Sequence, residues 1–176
     1  MFNQKMRMML INIILIMTEI ISLRDIDEQT EEMCKQVLKS RAFEIKYVID
    51  QTEELCLIAV RRKGINIKHI RDPTTKVCLE AVRQNPHALK YITKQTEEIC
   101  WEAIRLKGSS LMYVKDQTEE MSLEAVKRSS LALRSVENQT DKICFEAMMC
   151  WPDLASIFIR DQEQYERIKR RTEDPR

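Results

Sequence analysis

The sequence predicts an all-α protein, an α-solenoid of 22-residue helix-turn-helix repeats with degenerate capping units at both ends. Three observations carry this. The segment Gln95–Ile104 (QTEEICWEAI) recurs at Gln29–Leu38, Gln51–Val60 and Gln117–Val126, with worn copies at Pro73–Val82 and Gln139–Met148. The threonines of these copies stand at 30, 52, 74, 96, 118 and 140, a period of 22 without slippage. A fixed period of that size marks stacked supersecondary units that bury their apolar faces on one another. Finally, only two glycines and four prolines occur in 176 residues, which favours helix over glycine-turned sheets.

Each repeat justifies a long helix and then a short one. Asp50 and Asp116 stand three residues before Glu53 and Glu119, a capping-box spacing that predicts aspartate N-caps, with Asn138 and Asp141 as a variant. Apolar positions then fall at i, i+1, i+4 and i+5, as in Ile99, Cys100, Ala103 and Ile104. That is one helical stripe rather than strand alternation. Ala59, Ala81, Ala103, Ala125 and Ala147 recur as the small residue that lets a neighbouring helix approach. A turn position follows, held by Ala42, Gly64, Pro86, Gly108, Ser130 and Pro152, where glycine is expected to end the helix. The second helix is marked by apolar pairs at i, i+3: Ile45/Val48, Ile67/Ile70, Leu89/Ile92, Leu111/Val114 and Leu133/Val136. Neither helix is long enough to be stable alone, so stacking must supply the burial.

The organisation is therefore residues 1–28 as a degenerate N-terminal repeat or capping helix, 29–160 as six repeats, and 161–176 as a polar cap and tail. Met9–Met17 (MLINIILIM) follows Lys5 and Arg7 and looks like a signal peptide, but it lacks a cleavage site and is too short to span a bilayer. Capping or self-association is the preferred use, membrane or signal function the alternative. Ile11, Ile13, Ile14, Ile20 and Ile21 offer more apolar surface than one helix face buries. A symmetric homodimer through residues 6–23 closes that surface. Light scattering should give about 42 kDa, twice the 20.9 kDa chain; a monomer at high micromolar concentration would contradict it. At the other end, counting by 22 puts Lys169 and Arg170 where the stripe needs Ala and Val.

The unit QTEEICxEAV…ALKYV resembles a helical repeat family of unknown function, abundant in giant DNA viruses of amoebae (mimivirus and marseillevirus relatives). The resemblance covers Gln29–Arg160. Pro73–Lys76, without the glutamate pair, and Ser122, in place of cysteine, depart from it. It implies an all-helical repeat protein of viral source, intracellular in the host cytoplasm, nucleus or virion. It brings no agreed activity.

Charge is balanced, with 29 basic and 28 acidic residues, so no whole-molecule field draws the chain to nucleic acid or membrane. Five of the six cysteines (Cys34, Cys56, Cys78, Cys100 and Cys144) share one repeat position. A buried small-residue slot explains that better than metal or redox chemistry, which needs clustered thiols. Cys150 lies outside the ladder. Arg61, Arg83 and Arg105, with Lys39 and Lys127, form a basic row at the end of the long helix. Pairing with Glu80, Glu102 and Glu124 three residues earlier is expected. A second row is Arg24, Lys46, Lys68, Lys90 and Arg134. Tyr47, Tyr91 and Tyr113, with His69 between, form a strip that suits either an exposed interaction surface or semi-buried packing. Arg167–Arg171 (RIKRR) reads as a nuclear import signal or a basic helix end. No phosphate loop, HExxH or GxSxG occurs, and no cofactor is implied. The expectation is a non-enzymatic scaffold or adaptor that binds another protein. Nucleic-acid binding through the basic rows, or membrane association through Met9–Met17, stand as alternatives.

Overall fold

A computed structural model describes residues 22–173. The self-association residues Ile11, Ile13, Ile14, Ile20 and Ile21 lie outside the described residues, as does the rest of 1–21; of the expected N-terminal unit only 22–28 is described. The fold is all-α: α-helices alternate with 3-10 helices at the 22-residue period, and no strand occurs among the described residues. The α-helices are α1 (Glu31–Ser40), α2 (Glu53–Arg62), α3 (Thr75–Gln84), α4 (Glu97–Leu106), α5 (Glu119–Arg128), α6 (Asp141–Cys150), α7 (Pro152–Phe158) and α8 (Gln162–Glu173). Between them run η1 (Leu23–Asp25), η2 (Ala42–Tyr47), η3 (Gly64–His69), η4 (Pro86–Tyr91), η5 (Gly108–Tyr113) and η6 (Ser130–Ser135).

The described residues fall into two compact units, divided between Ile92 and Thr93. In the first, α1 packs on α2 and α2 on α3, while η1 to η4 lie against one another in turn. In the second, α4 packs on α5, α5 on α6 and α6 on α8, with η5 beside η6. The expected stripes are the cores: Leu55, Cys56, Ala59 and Val60 in one repeat and Ile99, Cys100, Ala103 and Ile104 in another are all buried.

Three details depart from the sequence reading. The N-caps are the threonines, not the aspartates. Thr52 Oγ1 accepts from Leu55 N and Thr118 Oγ1 from Met121 N, and the same bond recurs at Thr30, Thr74, Thr96 and Thr140. The Asp50 and Asp116 positions lie two residues earlier, in the bend before the helix. Second, the short elements are 3-10 helices, and this is why their apolar pairs fall at i, i+3: with three residues per turn, that spacing is one face. Third, the glycines do not end helices in a left-handed cap. The chain leaves α2 and α4 through extended residues, Lys63 (φ −157°) and Lys107 (φ −154°). Gly64 and Gly108 open the next 3-10 helix instead. A Cβ on Gly64 would lie 2.3 Å from the Ala81 carbonyl oxygen, and one on Gly108 2.5 Å from that of Ala125. Glycine is there for close approach of the neighbouring helix.

The recurrent glutamine ties consecutive repeats. Gln51 Nε2 donates to the carbonyls of Ile45 (2.8 Å) and His69 (3.0 Å), and its Oε1 accepts from Arg71 N (2.9 Å). Gln29 does the same with Leu23, Tyr47 and Ile49, and Gln117 with Leu111, Ser135 and Glu137. Each clamp satisfies a carbonyl in each of two successive 3-10 helices and one N–H in the bend after the second. At Pro73 the glutamine is absent, and a proline ring cannot make these bonds. Gln51→Ala should lower stability by about 2–3 kcal/mol through loss of these bonds. Gln36→Ala, which loses only an exposed bond to Glu32, should change the urea midpoint little. Equal effects would contradict the clamp.

Polar contacts fix the first and last of the described elements. Glu44, 2% exposed, pairs with Arg41 (2.9 Å) and accepts from Leu23 N (2.7 Å) and Ser22 Oγ (3.1 Å), fixing η1 on η2. At the C-terminal end the register changes. The Asp161 carboxylate accepts from Glu163 N and Gln164 N, capping α8 21 residues after the Thr140 cap rather than 22. The buried stripe therefore falls on Gln164 and Ile168, and not where Lys169 and Arg170 were expected to interrupt it. Gln164 donates to the Gln139 carbonyl (2.9 Å) and to Asp141 (2.8 Å), so the cap docks on α6 through hydrogen bonds.

Candidate functional site

A 3-10 helix that buries its i and i+3 residues turns the residue after each of them outward. With Ile45 and Val48 inside, Phe43 and Lys46 are exposed and Tyr47 is half-buried. The same geometry exposes Lys68 and Lys90, and η1 presents Arg24. The first unit thus carries four consecutive cations, Arg24, Lys46, Lys68 and Lys90, one on each 3-10 element. None pairs with a carboxylate among the described residues. Aromatic groups interleave with them. The Lys46 ammonium sits 4.6 Å from the Tyr47 ring centroid and 5.8 Å from that of Phe43, and Lys90 sits 5.9 Å from that of Tyr91. His69 stands between: burial lowers its pKa, and Lys68 and Lys46 lower it further. Its imidazole reports a local positive potential set by two successive rungs. Between η2 and η3 a shallow cavity of about 320 Å³ is lined by Phe43, Arg62, Lys63, Lys68 and His69, with no acidic residue in its walls.

In the other basic row Arg61 and Lys127 meet carboxylates, though not the expected ones. Arg61 Nε meets Glu80 at 3.1 Å and Lys127 meets Glu146 at 3.7 Å, each 19 residues on, while Glu124 pairs with Arg128. The expected pairing three residues back within one helix is replaced because stacked helices set the end of one beside the middle of the next. Arg105 lies 5.6 Å from the Trp101 ring, and Arg83 is exposed and engaged. Of the tyrosines, Tyr47 and Tyr113 are half-buried and Tyr91 is exposed. The expected set is therefore split. Tyr47 and Tyr91 lie beside the free lysines, Tyr113 belongs to the second unit where Met112 holds the lysine position, and the arginines form a separate row in which Arg61 is ion-paired, Arg83 is engaged and Arg105 lies over Trp101.

The acidic helix starts are also internally paired. Glu53 accepts from Thr74 Oγ1 (2.8 Å) and meets Lys76 at 2.9 Å. Lys76 first, then Thr74, hold its carboxyl below the ordinary range. Glu119 repeats this with Thr140 and Lys142. Arg167 of the basic tail pairs with Asp141 at 2.7 Å. Cys34, Cys56, Cys78, Cys100 and Cys144 are buried free thiols, and Cys150 is exposed. Burial, and then Glu146 beside it, push the Cys150 thiol up, so exposure does not make it an activated nucleophile. Among the described residues no His/Cys/Asp/Glu cluster suits a metal ion, and no helix is long and apolar enough to cross a membrane.

Two features escaped the sequence reading. The glutamine clamps were legible: a polar residue recurring outside the apolar stripe asks for a partner. The cavity was not, because Phe43 does not recur from repeat to repeat: its position holds Ile65, His87, Ser109 and Leu131 in the following units.

Residues 76–118 match the model of a family described only as a domain of unknown function, DUF4116. No curated protein and no solved structure matches the chain.

Proposed function

We propose that the chain is a non-enzymatic helical-repeat scaffold or adaptor that binds another protein through the 3-10 face of its first unit. The observation that supports this is the contrast between the two basic rows: Arg61 and Lys127 are met by glutamates of the next repeat, whereas Arg24, Lys46, Lys68 and Lys90 are exposed without one. Unpaired cations beside aromatic rings form a surface that gains on meeting an anionic partner, and tyrosine is favoured at interaction hot spots. A repeat stack presents such a face already ordered, so little is lost to ordering on binding. The resemblance of the repeat unit supports a viral source on the same footing.

The test is affinity capture with the full chain and with Lys46→Glu/Lys68→Glu/Lys90→Glu. A partner held by the wild type and by Arg61→Glu, and lost from the triple variant, is the expected result. Capture that survives in the triple variant overturns the reading. Nucleic-acid binding, the second reading, would instead show as affinity for an oligonucleotide that falls steeply with salt.

A further inference from the structure

We propose that the row Arg24, Lys46, Lys68 and Lys90 recognises an extended acidic peptide whose carboxylates recur at every third residue. This rests on the reading of that face as the protein-binding surface and adds the chemistry and spacing of the partner. The rungs stand one per repeat on elements that lie against each other in turn. Helical elements packed side by side are spaced about 8–10 Å apart. A polyproline II segment has three residues per turn and a rise of about 3.1 Å, so residues i, i+3 and i+6 share a face about 9.3 Å apart. At about 9 Å, the middle of that range, one carboxylate meets each rung with only about 1 Å of drift over three intervals. A β-extended segment repeats its face about every 6.7 Å, and at the same rung spacing of about 9 Å it is out of step by about 7 Å over three intervals.

The lysines set the sign of the partner, and the rings argue against a nucleic acid. A nucleic-acid strand within a duplex carries one phosphate about every 3.4 Å, so rungs at this spacing meet only about one in three. Bases would also need free ring faces to stack on, and those of Tyr47 and Tyr91 already hold Lys46 and Lys90. Between the second and third rungs, the cavity walled by Phe43, Arg62, Lys63, Lys68 and His69 gives one acidic side chain a deeper seat. Phe43 packs against its methylene groups there while the cations meet its carboxylate.

The probes are two rhodamine-labelled twelve-residue peptides of identical composition, one with glutamate at every third position and one with the glutamates contiguous. Binding to the full chain is followed by fluorescence anisotropy at low salt. The first peptide should bind at least tenfold more tightly than the second. Lys46→Gln/Lys68→Gln/Lys90→Gln, all exposed positions, should weaken it at least tenfold, and Arg61→Gln should leave it unchanged. Equal affinity for both peptides, both lost in the triple variant, overturns the spacing while leaving the face intact. No binding of either peptide also overturns the inference, and capture of a protein partner then decides the face separately. Equal binding by wild type and triple variant overturns the face itself. Tighter binding of an oligothymidine than of either peptide, lost in the triple variant, overturns the peptide in favour of nucleic acid.

Discussion

Raising the pH from 9 to 11 should unfold the protein far more readily than its Cys56→Ser/Cys78→Ser/Cys144→Ser variant. Burial pushes the thiols of Cys56, Cys78 and Cys144 up to about 11 in the folded state, against about 8.5–9 for an exposed thiol. Between those values the unfolded chain releases three protons that the folded chain retains. Stability from this source is complete below pH 9 and is lost as the pH rises through 11. At about 1.4 kcal/mol per unit of separation, each thiol contributes on the order of 2–3 kcal/mol, and three together rival the stability of an ordinary domain. Ser122, buried at the same repeat position, shows that serine fits the slot. Urea midpoints of the wild type and Cys56→Ser/Cys78→Ser/Cys144→Ser should therefore diverge above pH 9. Parallel curves would mean that the slots are not dry.

Ala103→Glu should cost about 2–4 kcal/mol, by overpacking and by burying a carboxylate without a partner. Ala103 is fully buried on the small-residue stripe of α4. It has no room to extend a longer side chain to water. Lys107→Glu, at an exposed position beyond the helix, serves as the control and should shift the midpoint by about half a kcal/mol or less. Similar losses in both variants would mean that the stripe is not the packing face.

The architecture was legible because it is periodic: residues in one environment recur every 22 positions, and averaging over six copies removes the noise of any one. Local geometry was less so. Asp50 satisfies a capping-box spacing as well as any N-cap, but Thr52 stands where its Oγ1 reaches Leu55 N. Gly64 fits a helix-end glycine by its place in the chain, and only the distance to the Ala81 carbonyl reveals the close contact. The basic rows look alike in sequence. Partnership with a glutamate 19 residues away depends on how the helices stack, and that separates Arg61 from Lys68. The change to a 21-residue step before α8 was hidden because a longer α7 and a shorter bend nearly cancel.

Hydrogen exchange of the full chain, free and bound to the partner recovered by affinity capture, tests the interaction face most directly. The amides of Ala42–Tyr47, Gly64–His69 and His87–Tyr91 should slow on binding, while those opening α2 at Glu53 and Glu54 keep their free rates. Protection at the acidic helix starts, with the three 3-10 helices unchanged, would contradict the assignment of the face.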